Sequence, residues 1–167
     1  MREWFFPVGN PVSAFPAEGF LLETELLRAA ATSFSGYWVL LGETPSGLCE
    51  GLILFESGRL IGCAFESLMD ARQSWGEEAM PQVIALFKNK RGVVDVVHLS
   101  LPQVGLVPAF YSAIRLGIAL EPKDLIKQIP TKYDGKGGPD ATKTVSKREL
   151  TRFELFARRG LAGLHKD

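Results

Sequence analysis

Apolar and polar residues alternate in two different patterns along the first 130 residues. Between residues 21 and 34 the apolar positions recur every three or four residues, which predicts one buried face of a helix that stops at Ser35-Gly36. Short, nearly continuous apolar runs follow at 37–41, 48–55 and 59–65. Because turn-forming residues bound these runs, they predict three antiparallel strands in a meander.

The central hairpin, GLILFESGRLIGCAFES, contains the second of two cysteines. A two-residue turn would set Glu56 opposite Arg59, and strand alternation would then place Cys49 and Cys63 on opposite faces. A loop one residue longer would bring them to one face, on a diagonal with Cβ atoms about 7 Å apart. Neither register allows a disulfide, which needs Cβ atoms about 3.8 Å apart.

The four residues Ser74-Trp75-Gly76-Glu77 match a capping box, in which Ser and Glu each satisfy the other's backbone N–H. This pattern predicts that a helix begins at Ser74 and ends before Gly92. Proline has no N–H to donate within a helix. Pro81 therefore either kinks this helix or delays its start to about Met80.

A further strand is predicted at 93–99, and Ser100-Leu101-Pro102-Gln103 repeats the capping-box pattern. The third helix that follows is irregular because it contains Gly105 and Pro108. Its predicted buried stripe consists of Val104, Val107, Tyr111 and Ile114. Residues 122–129 predict a short helix that starts with a proline.

These elements predict an α+β body over residues 1–130, with an antiparallel meander sheet of about four to five strands packed with three helices. Residues 131–145 are rich in Gly, Lys and Asp and predict a flexible linker. Residues 146–167 begin with a third capping box and predict a basic, amphipathic C-terminal tail helix.

The composition argues against a membrane-spanning protein and against a disulfide-rich secreted protein. Hydrophobic residues make up 46% of the 167 positions, enough for a core, while no apolar run approaches the roughly 18 needed to span a bilayer. Two cysteines do not form a disulfide framework, and the first residues lack the pattern of a signal peptide. We expect a cytoplasmic protein.

Charge is distributed unevenly although the net charge is zero. Residues 1–120 carry 8 Lys/Arg against 12 Asp/Glu, a balance of −4, while residues 121–167 carry 11 against 7, a balance of +4. The basic tail could attract an acidic partner, nucleic acid or the body itself, or simply be solvated.

Motifs that would indicate catalysis are absent from the sequence, which has no HExxH, GxSxG or GxxxxGK[ST] pattern. His98 and His165 have no Cys or His at ligand spacing, so no metal is expected. A cysteine nucleophile with His98 as base is less favoured than small buried thiols in a strand. We expect no enzyme activity, no catalytic residue and no cofactor.

Two regions are candidates for an interaction surface. One follows the central hairpin and contains Glu66, Asp70, Arg72 and Trp75, where charged and aromatic side chains come close in sequence. The other is the tail, where basic side chains alternate with aromatic ones that could neutralise phosphates and stack on bases. Its candidate residues are Arg148, Arg152, Phe153 and Phe156.

The order of elements over residues 34–88 resembles that of PATAN-type domains of bacterial signalling proteins, with a core at about 20–100. The segments that carry the resemblance are Ser35-Gly36-Tyr37, Gly51-Leu52-Ile53-Leu54-Phe55, Glu56-Ser57-Gly58, Leu60-Ile61-Gly62-Cys63-Ala64 and Gly76-Glu77-Glu78-Ala79. The resemblance implies protein–protein interaction without a catalytic site. This chain differs in lacking a receiver or other signalling domain.

A closer resemblance is to a group of uncharacterised archaeal proteins that are known only as a domain of unknown function. It covers about residues 7–160 and includes Gly92-Val93-Val94-Asp95-Val96 and Leu99-Ser100-Leu101-Pro102-Gln103-Val104. No activity comes with this resemblance.

The leading hypothesis from the sequence is therefore a non-catalytic cytoplasmic interaction or regulatory module, with a protein partner or a second copy in a homodimer. One alternative is a small-molecule binder or small enzyme that uses the region after the hairpin. Another is nucleic-acid binding through the basic tail. No membrane association is expected.

Overall fold

A computed structural model describes residues 6, 7 and 9–129, which lie within the first of the chain's two structural units, Met1–Lys136. The strands are β1 (Asn10–Pro16), β2 (Gly36–Thr44), β3 (Gly47–Glu56), β4 (Arg59–Ser67), β5 (Arg72–Trp75), β6 (Gly92–His98) and β7 (Arg115–Leu120). The helices are α1 (Leu22–Ala31), α2 (Gly76–Lys88), α3 (Leu101–Phe110) and α4 (Pro122–Gln128). The predicted linker and tail helix lie outside the described residues.

The strands form one antiparallel sheet in the order β1-β6-β2-β3-β4-β5, and β7 also pairs with β4. The predicted α+β class is confirmed. β2, β3 and β4 form the predicted three-stranded meander, which β5 extends by one strand. The predicted four to five strands and three helices were too few, since the described residues form seven strands and four helices. The strands that were not predicted are short or irregular: β1 contains two prolines, β5 has 4 residues, and β7 pairs through a shifted register.

The first face of the sheet is covered by α1, α2 and α4 around a cluster of aromatic rings. Trp38 lies at the centre, with its ring centroid 4.5 Å from that of Phe55 and 5.3 Å from that of Phe20. α2 approaches closely at Gly51, where an added Cβ would lie 3.2 Å from Leu86. The absence of a side chain in β3 at this point therefore allows the helix to pack on the strand.

The second face is covered by α3. Val104 and Val107 of this helix are buried against Val39, Leu52 and other apolar residues of the sheet. Ile114, in the turn after α3, is fully buried in the same cluster. The opposite side of α3 is exposed.

Of the two predicted capping boxes in the described residues, one is confirmed and one is wrong. At α3, the backbone N–H of Ser100 donates to Oε1 of Gln103 at 2.9 Å, as the pattern predicts. Ser74 instead belongs to β5, and α2 begins at Gly76 with Pro81 inside it. Residues 72–75 pair with β4, the hydroxyl of Ser74 accepts a hydrogen bond from Nε2 of Gln82, and the carboxylate of Glu77 accepts one from the backbone N–H of Gly117. Both side chains that the capping box would have used are therefore engaged elsewhere.

The tip of the central hairpin was predicted correctly, since Glu56 lies opposite Arg59. A register shift between the Leu54 and Phe55 pairs then moves every later pair by one residue. Cys49 therefore faces Ser67 and Cys63 faces Ile53, so the two cysteines share a face rather than lying on opposite faces. Four positions of β4 separate them, about 13 Å, and both are buried, free thiols.

None of the described helices has the length and apolar character that crossing a membrane requires.

Candidate interaction surface

The charged residues that follow the central hairpin are engaged with near neighbours. Glu66 is buried and its Oε1 accepts a hydrogen bond from Nε2 of Gln73 at 3.2 Å. Asp70 and Arg72 form an exposed ion pair, with Nη2 to Oδ2 at 3.1 Å. Exposed pairs of this kind contribute little to the free energy of unfolding, because water screens the charges.

The structure separates Trp75 from the Asp70–Arg72 ion pair. Trp75 ends β5, and Arg72 begins it. Because side chains alternate along a strand, residues three apart project to opposite faces of the sheet. The predicted group therefore divides into an ion pair at one end of β5 and an aromatic residue at the other.

Asp70 is held in its ionised form by its surroundings. A hydrogen bond from the side chain of Ser67, followed by the positive charge of Arg72, lowers the pKa of its carboxyl. Such a carboxylate is a poor proton acceptor near neutral pH. We interpret the pair as stabilising the turn between β4 and β5.

Trp75 instead belongs to a row of aromatic rings at the end of α3. It stacks on Tyr111, with ring centroids 6.1 Å apart and planes inclined by 12°. The ring of Phe6 lies 5.6 Å from that of Tyr111 and 5.5 Å from that of Tyr37. We call these four residues the aromatic row; each is partly buried and packs against the core below α3.

The outward side of α3 is apolar and exposed. Leu101, Leu106 and Phe110 have exposed fractions of 54%, 45% and 75%. The residues between them on this side are also exposed, and all are apolar. We define the α3 patch as Leu101, Pro102, Gly105, Leu106, Ala109 and Phe110.

No charged residue interrupts this region, because residues 99–114 contain no Asp, Glu, Lys, Arg or His. A surface helix normally has a polar side that faces water, and a helix that is apolar all round is normally buried. Leu27, by comparison, is exposed on α1, which also carries Glu23, Glu25 and Arg28. The α3 patch is therefore an exposed apolar surface of the kind that marks interaction sites.

The sequence predicted the buried side of α3 but not the patch. Val104, Val107 and Ile114 are buried as predicted, and Tyr111 is partly buried. The signal that would have revealed the patch was the lack of any polar side, which a search for a buried stripe does not test. The predicted tail residues Arg148, Arg152, Phe153 and Phe156 lie outside the described residues.

The thiols of the sheet are in protonated form at neutral pH. Burial raises the pKa of Cys49, whose Sγ also lies 3.5 Å from Oγ1 of Thr44, and burial raises the pKa of Cys63. Thiols of this kind are weak nucleophiles. Within residues 6–7 and 9–129, no three or more His, Cys, Asp or Glu side chains come together as a metal site would require.

Comparison with known protein families adds one result. The family described as "Uncharacterized protein conserved in archaea (DUF2226)" matches residues 6–111. The chain belongs to this family. The matched segment runs from Phe6 to Tyr111 and so contains all of α3 and the aromatic row. No curated protein and no solved structure matches the chain.

Proposed function

We propose that this member of the archaeal family is a non-catalytic protein-interaction module, and that the α3 patch is its binding surface. The observation that supports this proposal is the exposure of Leu101, Leu106 and Phe110 on a helix whose outward side carries no charge. Exposing such side chains to water is unfavourable, by roughly 25 cal/mol for each Å² of apolar area, and a partner that covers them recovers this free energy.

The packing below the patch supports the same proposal. α3 is held by buried Val104 and Val107 on one side and by the Trp75–Tyr111 stack at its end. A binding surface on a fixed frame loses little conformational entropy when a partner binds. The α3 patch is therefore suited to rigid docking.

The resemblance to PATAN-type domains favours interaction over catalysis as well. It rests on Ser35-Gly36-Tyr37, on the central hairpin and on the Gly76-Glu77-Glu78-Ala79 segment, which here forms the first turn of α2. We extend the proposal to a cytoplasmic location on the basis of the cysteine content, two free thiols without a disulfide framework.

The proposal is tested by placing charge on the patch. A double variant, Leu106→Asp/Phe110→Asp, would be compared with the parent and with Leu27→Asp, whose α1 position is 53% exposed. Each protein would be used for affinity capture from a lysate of the source organism, with captured proteins quantified by mass spectrometry. Circular dichroism would establish that all three proteins are folded.

We expect a defined set of proteins, including untagged copies of this chain, to be captured by the parent and by Leu27→Asp but lost from the double variant. Equal capture by the parent and the double variant would contradict the proposal. Capture by none of the three would contradict it too.

A further inference from the structure

Resting on the proposed function, we infer that the partner of the α3 patch is a second copy of this chain, bound through an antiparallel pairing of α3 with its two-fold mate. The inference is carried by Gly105, by the symmetry of the patch and by its lack of charge. Each of these features is a property of the described residues.

Gly105 lies inside α3, and no atom of residues 6–7 and 9–129 is within 4 Å of an added Cβ. Glycine in a helix interior is less stable than alanine there, because it loses more conformational freedom on folding. At Gly62, by contrast, the fold supplies a local reason, since an added Cβ would lie 3.0 Å from the carbonyl oxygen of Ile114. At Gly105 the described residues provide no such reason, so the notch that it leaves faces outward toward whatever covers α3.

The exposed positions of the patch are symmetric about the midpoint between residues 105 and 106. Reversing the helix direction exchanges 101 with 110, 102 with 109, and 105 with 106. In an antiparallel pair, Leu101 thus faces the partner's Phe110, and Gly105 faces the partner's Leu106. Leu106 of each chain then fills the space that Gly105 of the other chain leaves open. The same contact therefore occurs twice, as a two-fold interface requires.

The absence of charge on α3 and the direction of the helix dipoles both favour this antiparallel pairing. Neither α3 nor its flanks between residues 99 and 114 carry a charge that would repel its own copy. An antiparallel arrangement also sets the positive N-terminus of each helix beside the negative C-terminus of its mate. A partner with a basic or acidic face would find no complementary charge here.

The size of the patch sets the strength of the dimer. α3 has 10 residues, so it is about 15 Å long and a helix pair buries less than the roughly 1,200 Å² of a stable interface. We expect a dimer that forms with rising concentration and dissociates on dilution.

The arrangement is tested with introduced cysteines, since the native Cys49 and Cys63 are buried. Leu101→Cys and Phe110→Cys would be prepared separately with distinguishable tags, mixed, and treated with a short bis-maleimide. In the antiparallel pair, position 101 lies beside the partner's 110, but two copies of position 101 lie about 13 Å apart along the helix. Leu27→Cys on α1 serves as the control.

We expect the mixed product of the two variants to exceed either homodimeric product several-fold, and to disappear when Leu106→Asp is present in both chains. Dominant products between two copies of the same variant would overturn the antiparallel arrangement. Absence of cross-linking together with a monomeric mass at every concentration would overturn the inference of self-association.

If the protein proves monomeric, the capture experiment still shows whether the proposed function fails together with the inference of self-association. If Leu106→Asp/Phe110→Asp then abolishes capture of a different protein, the α3 patch is an interaction surface with another partner. If capture is also unchanged, both the proposed function and the inference fail.

Discussion

Trp75 and Tyr111 lie face to face, with ring planes only 12° apart, and join the end of β5 to the residue that caps α3. This contact connects the last strand of the meander to the helix that carries the α3 patch. β5 pairs with β4, which pairs with β3 at the centre of the sheet. The stack therefore fixes the C-terminal end of α3 relative to the sheet.

The coupling between these two rings can be measured directly. In a double-mutant cycle with Trp75→Leu and Tyr111→Leu, we expect an interaction free energy of about 0.5 to 1.5 kcal/mol, because aromatic pairs contribute that much beyond buried area. Urea denaturation of the four proteins provides the free energies of unfolding. A control cycle of Trp75→Leu with Leu27→Ala should be additive. Additivity in the first cycle too would mean that the stack does not couple β5 to α3.

The ring cluster around Trp38 should be the most sensitive part of the core. Trp38 is 3% exposed and its ring contacts those of Phe20 and Phe55. We expect Trp38→Ala to lower the free energy of unfolding by about 3 to 5 kcal/mol, because a large buried side chain is lost and a cavity remains. Phe110→Ala, at an exposed position, should change it by less than about 0.5 kcal/mol. Similar losses in both variants would contradict this view of the core.

Gly105 is a position at which a substitution is predicted to stabilise the protein. Because an added Cβ meets no atom of the described part of the chain within 4 Å, Gly105→Ala should raise the free energy of unfolding of the monomer by roughly 0.5 to 1 kcal/mol. The measurement is made by chemical denaturation at low protein concentration. Gly62→Ala is the matched control and should destabilise the protein, since its Cβ would crowd the carbonyl of Ile114. A loss of stability in Gly105→Ala would show that something already covers the patch.

The tip of the central hairpin should also respond in opposite directions to two substitutions. Ser57 and Gly58 have φ values of 49° and 81°, the left-handed conformation that a tight hairpin turn requires. Gly58→Ala should lower the free energy of unfolding by roughly 1 kcal/mol or more, because alanine is strained in the left-handed conformation. Its Cβ would in addition lie 3.0 Å from the carbonyl oxygen of Ala29. Ser57→Asn should raise the free energy of unfolding by a few tenths of a kcal/mol, since asparagine adopts the left-handed conformation more readily than serine. Thermal unfolding checks both, and a neutral Gly58→Ala would refute the argument.

Acid should destabilise the fold through two carboxylates. Hydrogen bonding from Ser67 lowers the pKa of Asp70, and the backbone N–H of Gly117 lowers the pKa of Glu77. Each folded-state pKa is below its unfolded value of about 4. Both groups therefore stabilise the fold above the unfolded pKa, and this contribution is lost as the pH falls through the lower folded pKa.

The pH dependence of denaturant unfolding checks this expectation in Asp70→Asn and Glu77→Gln. Each variant should lose less stability on acidification from neutral pH than the parent does. Glu18→Gln removes an exposed carboxylate from a short 3-10 turn and serves as the control. An acid response in both variants as steep as that of the parent would contradict the assignment.

Several features of the fold could be predicted because the forces that produce them act over a few residues. The capping box at Ser100 joins groups three positions apart, and the turn between Glu56 and Arg59 depends on the two residues inside it. The apolar period of α1 requires only that some surface covers its buried side. These features, together with the α+β class, were determined by the sequence itself.

Other features depended on partners that are distant in the chain. Ser74 has the same local pattern as Ser100 but became part of a strand, because β4 offered backbone partners that no short stretch of sequence reveals. A bulge in the hairpin moved Cys63 to the face of Cys49. In the candidate site, tertiary packing placed Trp75 against Tyr111 rather than beside Asp70 and Arg72. The sequence by itself determined which helices and strands can form, because propensity and patterning are local; only the tertiary structure decided which apolar surfaces are covered, leaving one side of α3 exposed.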